Sequence, residues 1–338
     1  MTACFSHFDP LLGGQDAENM FRIAESFGSF GTYAEEATSE GLGETLPQRF
    51  DVGLNYTANG LDGQGNPDSE QMSASRTNYF RETYAYGAQL HVPEISSFMN
   101  NEQLQSAASH IGGSEYVVPA IVYANLLIPG QELAIHTDVP EFRGLNRMNT
   151  PQWLLVCMHH SGLFEPWRVP ILTCVSWFGS ADGGAFTFYP EGSAGPRKAI
   201  SATHNTAVLL DTDSVFHGVE RVVPTIHDLP AITGETRLHH AGDDYWLLQE
   251  QDQTVAEYTW HDLRYSISWK GYCFADAKQH GLWLGGQDQL TVTDVLAQFE
   301  SDLRGKGMAN LSRLDATERA GALVEQYIRF PRGLKPES

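Results

Sequence analysis

The stretch 116-YVVPAIVYANLLIPGQELAIHTD-138 contains a long apolar run, a Pro-Gly pair and a shorter run that ends in an imidazole and a carboxylate. Runs rich in Val, Ile, Leu and Tyr predict strands. Pro129 and Gly130 are the residue types that occupy the two central positions of a type II turn. We therefore expect the two runs to fold back on each other as a β-hairpin.

The register of this hairpin predicts which side chains meet. Counting back from the turn places Tyr123 opposite His136. The same count places Asn125 opposite Ala134. Residues two apart in a strand point to the same side, so His136 and Asp138 share one face. Tyr123 and Asn125 are expected on that face as well.

Further strand-like runs follow the hairpin, each rich in Val, Ile, Tyr, Phe, Trp and Thr. Turn residues such as Gly183-Gly184 separate them. Together with the two runs of the hairpin, these further runs cover residues 117–128, 133–138, 169–177, 185–189, 207–210, 215–223 and 263–274. Many short strands separated by turns are typical of a β-sandwich or barrel. The chain is therefore expected to be mainly β.

Helical periodicity flanks the strand-rich region. Apolar residues recur at helical spacing over 16–27 and 93–111, and again after Leu290. Asp315 and Glu318 have the spacing of a capping box at the start of a last helix. We expect these helices to pack outside a central barrel.

No internal repeat or interdomain linker divides the sequence, which predicts a single domain over residues 1–338. Its parts are N-terminal helices and loops (1–115), a strand core (116–275) and C-terminal helices (276–338). Residues 28–75 are rich in Gly, Ser, Thr, Asn and acidic side chains and predict long loops. Within them, 62–68 lacks the Gly and Glu that a calcium loop requires, so a surface turn is expected there.

Composition limits the classes of partner. The chain has 42 acidic against 21 basic residues and a net charge of -21, which repels phosphate backbones and predicts no nucleic-acid partner. No stretch has the length and apolarity of a membrane span or a signal peptide. Four cysteines without a CxxC pair fit a reducing cytoplasm. A cytoplasmic protein with a small-molecule partner is expected, and its oligomeric state is left open.

The run 207-AVLLDTDSVFHGV-219 contains a second histidine, His217, after an apolar strand and a turn. Together with His136 and Asp138 it offers two imidazoles and one carboxylate. That donor set forms the facial triad of non-haem Fe(II) oxygenases. Zinc can bind the same three groups. The spacing therefore predicts a metal site without fixing the metal.

A third run, 263-LRYSISW-269, places Arg264 and Ser266 on one strand face. A guanidinium with a neighbouring hydroxyl is suited to binding a carboxylate in a bidentate way. The sequence thus predicts a carboxylate anchor at Arg264.

The ordered set of HxD at His136 and Asp138, a distal His217, the strand GGAFTFYPEG and RxS at Arg264 and Ser266 resembles the Fe(II)- and 2-oxoglutarate-dependent dioxygenases. The resemblance covers about residues 116–274. It implies a double-stranded β-helix (jelly-roll) core and iron bound by His136, Asp138 and His217. It also implies 2-oxoglutarate chelated to that iron, with its far carboxylate on Arg264 and Ser266.

The resemblance further implies an activity. With O2, 2-oxoglutarate is decarboxylated to succinate and an unactivated C–H bond of a small molecule is oxidised, by hydroxylation, desaturation or cyclisation. Natural-product or amino acid metabolism is the expected setting. The hairpin register adds Tyr123 or Asn125 as a cosubstrate contact.

One departure from the family pattern affects the anchor. In this chain 46 residues separate His217 from Arg264, more than is usual in the family. Either an insert at 222–260 lies between neighbouring strands, or a nearer base such as Arg221 is the anchor. We favour Arg264 because Ser266 accompanies it.

Two segments are candidate covers for the site, 28–75 and the insert. The insert carries cations and aromatic residues that suit a pocket for a compact polar molecule: Arg237, His239, His240, Tyr245 and Trp246. Arg143 and Arg147 are candidate contacts for an acidic substrate group. Asp211 and Asp213 are expected to form a turn. His159 and His160 are expected to point apart on a strand, at the surface or in the substrate pocket.

Two alternatives share the predicted fold. One is a non-catalytic β-barrel that binds a small ligand, with zinc or with no metal. The other is a cupin-type metal-dependent isomerase or hydrolase, a type that normally uses more than two histidines.

Overall fold

The computed structural model describes residues 5–33, 49–59, 70–226, 228–308 and 311–331. The calcium-like stretch 62–68 lies outside the described residues, so the expectation of a surface turn there stays a prediction.

The strands, in chain order, are β1 (Ser6–Phe8), β2 (Ser29–Thr32), β3 (Phe80–Tyr86), β4 (Gln89–Leu90), β5 (Tyr116–Leu127), β6 (Leu133–His136), β7 (Glu141–Phe142), β8 (Arg168–Val169), β9 (Ile171–Phe178), β10 (Phe186–Phe188), β11 (Lys198–Ile200), β12 (Thr206–Leu210), β13 (His217–Val219), β14 (Arg237–Gly242), β15 (Tyr245–Glu250), β16 (Gln253–Thr259) and β17 (Arg264–Phe274). The helices are α1 (Gly14–Phe27), α2 (Phe50–Asn59), α3 (Glu70–Thr77), α4 (Ser96–Met99), α5 (Glu102–Gly112), α6 (Gln152–Ser161), α7 (Ala277–Leu284), α8 (Val292–Gly305) and α9 (Ala316–Tyr327).

Eight of the strands form a jelly roll. In the large sheet β12, β9, β17 and β5 are neighbours in that order, and the small sheet has the order β11, β10, β13, β6. Numbered along the chain from β5, these are strands 6-3-8-1 and 5-4-7-2, which is the strand order of a double-stranded β-helix. All of these neighbours are antiparallel. The predicted fold class, mainly β with flanking helices around a jelly-roll core, is confirmed.

The predicted hairpin is wrong, although its turn forms. The Gln131 amide donates to the Ile128 carbonyl at 3.1 Å, and Gly130 has a φ of +88° that suits a turn glycine. The chain then crosses to the other sheet, because both edges of β5 are taken by β17 and β3, while β6 pairs with β13. Tyr123 is therefore paired with Ser268 and Thr83, not with His136.

The N-terminal helices cover the outer face of the large sheet. Helix α1 agrees with the predicted helix at 16–27, and its Met20, Ile23 and Ala24 belong to the main apolar core. The helix predicted over 93–111 is interrupted. A 3-10 turn at Pro93–Ile95 and the short α4 precede α5, which begins at the N-cap Asn101, whose side chain accepts from the Leu104 amide. The apolar helical pattern continues through 93–111, but Asn101 lies within it and starts a new helix as an N-cap.

A second apolar core lies beside the small sheet. Helices α6, α8 and α9 contribute to it Leu155, Met158, Phe299, Leu323 and Tyr327, among others. The capping box predicted at Asp315 and Glu318 forms at the start of α9. Because α6 is part of this core, the expectation that His159 and His160 lie on a strand is wrong: both are in the last turn of α6.

The regions predicted as loop and insert hold regular structure. Residues 28–75 include β2, α2 and most of α3, so long loops are the wrong description for the described part. The insert at 222–260 contains β14, β15 and β16, which extend the large sheet beyond β2. Its Leu238, Trp246 and Leu248 are fully buried, which anchors the insert to the core. Among the described residues, no helix is long and apolar enough to cross a membrane.

Candidate active site in the jelly roll

Three predicted ligand side chains meet where β6 ends and β13 begins. His136 and His217 are register partners on these strands, with ring centroids 4.4 Å apart. Asp138 follows two residues after His136, and its Oδ1 is 3.6 Å from Nε2 of His136 and 3.7 Å from Nε2 of His217. One donor atom from each residue lies within 4.8 Å of the others, which is close enough for a single ion.

Both imidazoles are oriented to present Nε2. Nδ1 of His136 is 2.7 Å from the Ala134 carbonyl, and Nδ1 of His217 is 2.9 Å from the Val215 carbonyl. A proton on Nδ1 satisfies each carbonyl and leaves the Nε2 lone pair for a metal. Burial lowers the pKa of His217 to about 4, so its ring is neutral at physiological pH. The donor set therefore fits a divalent metal such as Fe(II).

The second oxygen of Asp138 is held by the protein. Oδ2 accepts from the Thr212 hydroxyl at 2.6 Å and from the Lys270 ammonium at 2.7 Å. Burial alone would raise the pKa of Asp138, but Lys270, His136 and His217 together outweigh burial and hold the pKa well below its usual value. The carboxylate is thus ionised, as a metal ligand must be.

Lys270 was missed by the sequence reasoning. On β17, inward positions alternate, so Arg264, Ser266 and Ser268 share the cavity face with Lys270. The alternation alone could have placed Lys270 on this face. It could not have named Asp138 as its partner, because that contact joins the two sheets.

The predicted anchor, Arg264, is a buried cation with no acidic partner among the residues that the structure describes. Its Nε donates to the Gly184 carbonyl at 2.6 Å, and Nη1 lies 3.5 Å from the Ser266 hydroxyl. Nη2 is buried and has no hydrogen-bond partner among the described residues. Burial lowers the pKa of Arg264 to about 9. An unpaired guanidinium nitrogen facing a cavity is a binding point for a carboxylate.

Arg221, the alternative anchor for the carboxylate, already has an acidic partner outside the cavity. Arg221 forms an ion pair with Glu132 at 3.2 Å and does not line the cavity. The long separation between His217 and Arg264 is accounted for by β14, β15 and β16, which lie between β13 and β17 in the chain.

Tyr123 and Asn125 line the same cavity as the triad. They do so because β5, in the large sheet, faces the triad in the small sheet, and not because β5 and β6 form a hairpin. The Arg81 guanidinium lies 3.8 Å from the centroid of the Tyr123 ring. Oδ1 of Asn125 is buried and has no hydrogen-bond partner in the described part of the chain, and Asn125 is the register partner of Ser266. Both side chains are therefore available to a ligand that reaches Arg264.

Further polar lining completes the cavity. It includes Tyr33, Arg49, Tyr86, Glu141, Arg147 and Tyr272. None of the described residues of the insert 222–260 lines the cavity, so its cations and aromatics do not form the substrate pocket. Arg237 instead forms an ion pair with Glu82, and Trp246 packs in the main apolar core.

The other candidates have structural partners. Arg143 pairs with Asp288 outside the cavity, whereas Arg147 does line it. Asp211 accepts from the amides of Asp213 and Ser214, which is the turn-forming role predicted for it.

No family model and no curated protein matches the sequence. Solved non-haem oxygenases are similar in structure. A prolyl-4-hydroxylase from Pseudomonas putida is 11% identical, covers 80% of this chain and 94% of its own, and gives a TM-score of 0.40. The 2-oxoglutarate-dependent epimerase SnoN from nogalamycin biosynthesis is 10% identical, covering 80% of this chain and 78% of its own, with a TM-score of 0.41.

HygX from Streptomyces hygroscopicus, solved with nickel, 2-oxoglutarate and hygromycin B bound, is 10% identical. It covers 83% of this chain and 91% of its own, with a TM-score of 0.39. At these identities and TM-scores the similarities carry no functional weight. Function is therefore inferred from the side chains that line the cavity.

Proposed function

We propose that this protein is a non-haem Fe(II)- and 2-oxoglutarate-dependent oxygenase. One observation carries the proposal: a His-Asp-His donor set and a buried, anion-free Arg264 face the same cavity. A facial triad leaves positions open on the metal, and a dicarboxylate can fill two of them while its far end neutralises the guanidinium.

Each side chain has a defined task in this proposal. His136, Asp138 and His217 bind Fe(II), and Arg264 with Ser266 binds the far carboxylate of 2-oxoglutarate. Asn125 and Tyr123 flank the cosubstrate. Fe(II), 2-oxoglutarate and O2 together supply the oxidising power for a C–H bond, with succinate and CO2 as coproducts. The protein positions the reactants and excludes water around them.

Arg264 distinguishes this function from the two alternatives. A hydrolase or isomerase of the cupin type needs the metal but has no use for a buried, unpaired guanidinium. A non-catalytic barrel without a metal would have no reason to keep two imidazoles and a carboxylate converging on one point, since burying polar groups costs free energy.

The primary substrate is a small polar molecule in this proposal. The cavity end remote from Arg264 is lined by Glu141, Tyr272, Tyr86 and Arg147, which suits a compact ligand with polar groups. The product is hydroxylated, desaturated or cyclised, in the metabolism of natural products or amino acids. A cytoplasmic location fits the use of 2-oxoglutarate.

The test is formation of succinate from 2-oxoglutarate with Fe(II) and O2, screened against amino acids and natural-product scaffolds. We expect turnover in the native protein, stimulated by the true substrate. His136→Ala and His217→Ala should remove most Fe(II) binding and all coupled turnover. Full iron occupancy and activity in either variant would refute the ligand assignment, and no 2-oxoglutarate binding in the native Fe(II) protein would refute the function.

A further inference from the structure

The two oxygens of Asp138 have different surroundings. Oδ1 faces Nε2 of both histidines, whereas Oδ2 is turned away from them and accepts two hydrogen bonds. Lys270 is bonded to Oδ2, so its ammonium does not occupy the point where the three donor atoms converge. The Lys270 contact is therefore compatible with a metal bound through Oδ1.

The number of hydroxyl hydrogens determines the direction of the hydrogen bond between Thr212 and Asp138. Thr212 Oγ1 is 2.6 Å from Asp138 Oδ2 and 2.6 Å from Thr173 Oγ1. A hydroxyl has one hydrogen, and an ionised carboxylate can only accept. Thr212 must therefore donate to Asp138, and Thr173 must donate to Thr212. The Asp138 amide also donates to the Thr212 carbonyl at 2.8 Å, which fixes the backbone of both residues.

Lys270 gives the stronger of the two contacts to Oδ2. The side chain is 10% exposed and bonds a carboxylate, so this is a charge-assisted hydrogen bond in a largely buried site. Turning Oδ2 toward a metal costs the native protein the Thr212 hydrogen bond and leaves Lys270 buried without its anion, so removal of either contact lowers the cost of two-oxygen coordination.

We propose that Lys270 and Thr212 are positioning residues that restrict Asp138 to one-oxygen coordination. The inference rests on the proposed metal site. A carboxylate that chelates through both oxygens would use two coordination positions and leave two of six, both of which 2-oxoglutarate needs. One-oxygen coordination leaves a third position for O2. Lys270 and Thr212 would thus keep one coordination position free for O2 without contacting the metal themselves.

The experiment uses Co(II), which reports coordination number in its visible absorption, in the full-length protein without O2 turnover. Lys270→Met and Thr212→Val remove one Oδ2 contact each. We expect both variants to retain Co(II) but to bind 2-oxoglutarate about tenfold more weakly in the Co(II)-loaded state. Their cobalt spectra should differ from that of the native protein, and crystal structures without 2-oxoglutarate should show both Asp138 oxygens on the metal.

Two controls separate this effect from general damage. Lys270→Arg keeps a cation on Oδ2 and should restore the native spectrum. Lys306→Met removes a comparable ammonium from Asp302, 2.6 Å away on the partly exposed surface of α8, and should change neither spectrum nor affinity.

One-oxygen coordination and unchanged 2-oxoglutarate affinity in both Lys270→Met and Thr212→Val would overturn the inference while leaving the proposed function intact. Failure of the native protein to bind Co(II) or 2-oxoglutarate would instead overturn the proposed function. If Lys270→Met does not fold, Thr212→Val decides, because the substitution is nearly isosteric and leaves the ion pair in place.

Discussion

Arg264 combines a binding role with a stability cost. Its guanidinium is buried, and no described acidic side chain lies within ion-pair distance of it. In such a setting a charge is costly until an anion arrives. Residues that are destabilising in the free protein and favourable in the complex are typical of functional sites.

Two opposite effects are therefore expected from Arg264→Met. Binding of 2-oxoglutarate to the metal-loaded protein should weaken by about 2–4 kcal/mol, because the far carboxylate loses its cation. The melting temperature of the ligand-free protein should rise, because a desolvated charge is replaced by an apolar side chain. Calorimetric titration and thermal unfolding measure the two effects.

Arg264→Lys should fall between the native protein and Arg264→Met in cosubstrate affinity, since an ammonium cannot reproduce the guanidinium fork. Arg197→Met, at a half-exposed ion pair with Glu220, is the control for loss of an arginine. Unchanged 2-oxoglutarate affinity in Arg264→Met would show that another base is the anchor.

At the scale of elements, the loop before β10 shapes the anchor. Gly184 has a φ of +62°, and a Cβ added there would lie 2.5 Å from Cδ of Arg264. Its carbonyl also accepts from Arg264 Nε. The Gly183-Gly184 pair, which the sequence marks only as a turn, is thus the surface against which the anchor side chain lies.

Gly184→Ala should displace Arg264 and weaken 2-oxoglutarate binding by about tenfold or more. Gly192→Ala is a matched control, since Gly192 also has a positive φ, +83°, but its added Cβ would meet nothing within 4 Å. Both variants should lose about 1–2 kcal/mol of unfolding free energy from left-handed backbone strain. Equal cosubstrate affinities in the two variants would contradict the role of Gly184.

Helix α6 carries a half-buried histidine, His160, that links the helix to the small sheet. His160 stacks on Phe216 at 5.2 Å between ring centroids, and its Nε2 is 3.2 Å from the Thr137 hydroxyl. Burial lowers the pKa of His160 to about 4. In the unfolded chain the ring has its ordinary pKa near 6.5.

The pH dependence of stability follows from this difference. Between about pH 6.5 and 4 the unfolded chain binds a proton at His160 that the folded protein does not, so the free energy of unfolding should fall as the pH is lowered. Urea unfolding of the metal-free protein measures this slope. His160→Gln should reduce the slope, whereas the same substitution at the exposed His110 should not; equal slopes in the native protein and His160→Gln would contradict the assignment.

At the scale of the whole molecule, the insert enlarges the sheet and does not cover the site. Strands β14 and β15 pair with each other and, through β2, with the large sheet. Their buried side chains join the main core. We therefore expect amides of β14 and β15 to be protected from hydrogen exchange in the ligand-free protein, and to gain no protection when Co(II), 2-oxoglutarate and substrate bind.

Hydrogen exchange measured by mass spectrometry on 222–260 tests this expectation, with β6 and β13 as segments in which ligand-dependent protection is expected. A ligand-induced gain across the insert would restore its role as a lid. The N-terminal region remains the candidate cover, since Tyr33 and Arg49 line the cavity.

Features that depend on local periodicity could be predicted from the sequence alone. The alternation of residues in strands was enough to group His136 with Asp138 and Arg264 with Ser266. The strand-rich composition of 116–274, together with the family resemblance, predicted the jelly roll. The helical spacing and capping box predicted α1 and α9. Each of these features is set by neighbours in the chain, so it can be read without knowing what lies across the fold.

Only the tertiary structure decided which strands and side chains meet. The hairpin expected around Pro129-Gly130 does not pair, because β5 finds longer partners in β17 and β3, which are remote in sequence. The apolar 152–161 is a helix because it joins a core with α8 and α9. Lys270 reaches Asp138 because the two sheets face each other across the cavity. Such contacts depend on which of several segments, distant in sequence, pair most favourably. A local sequence pattern does not contain that information.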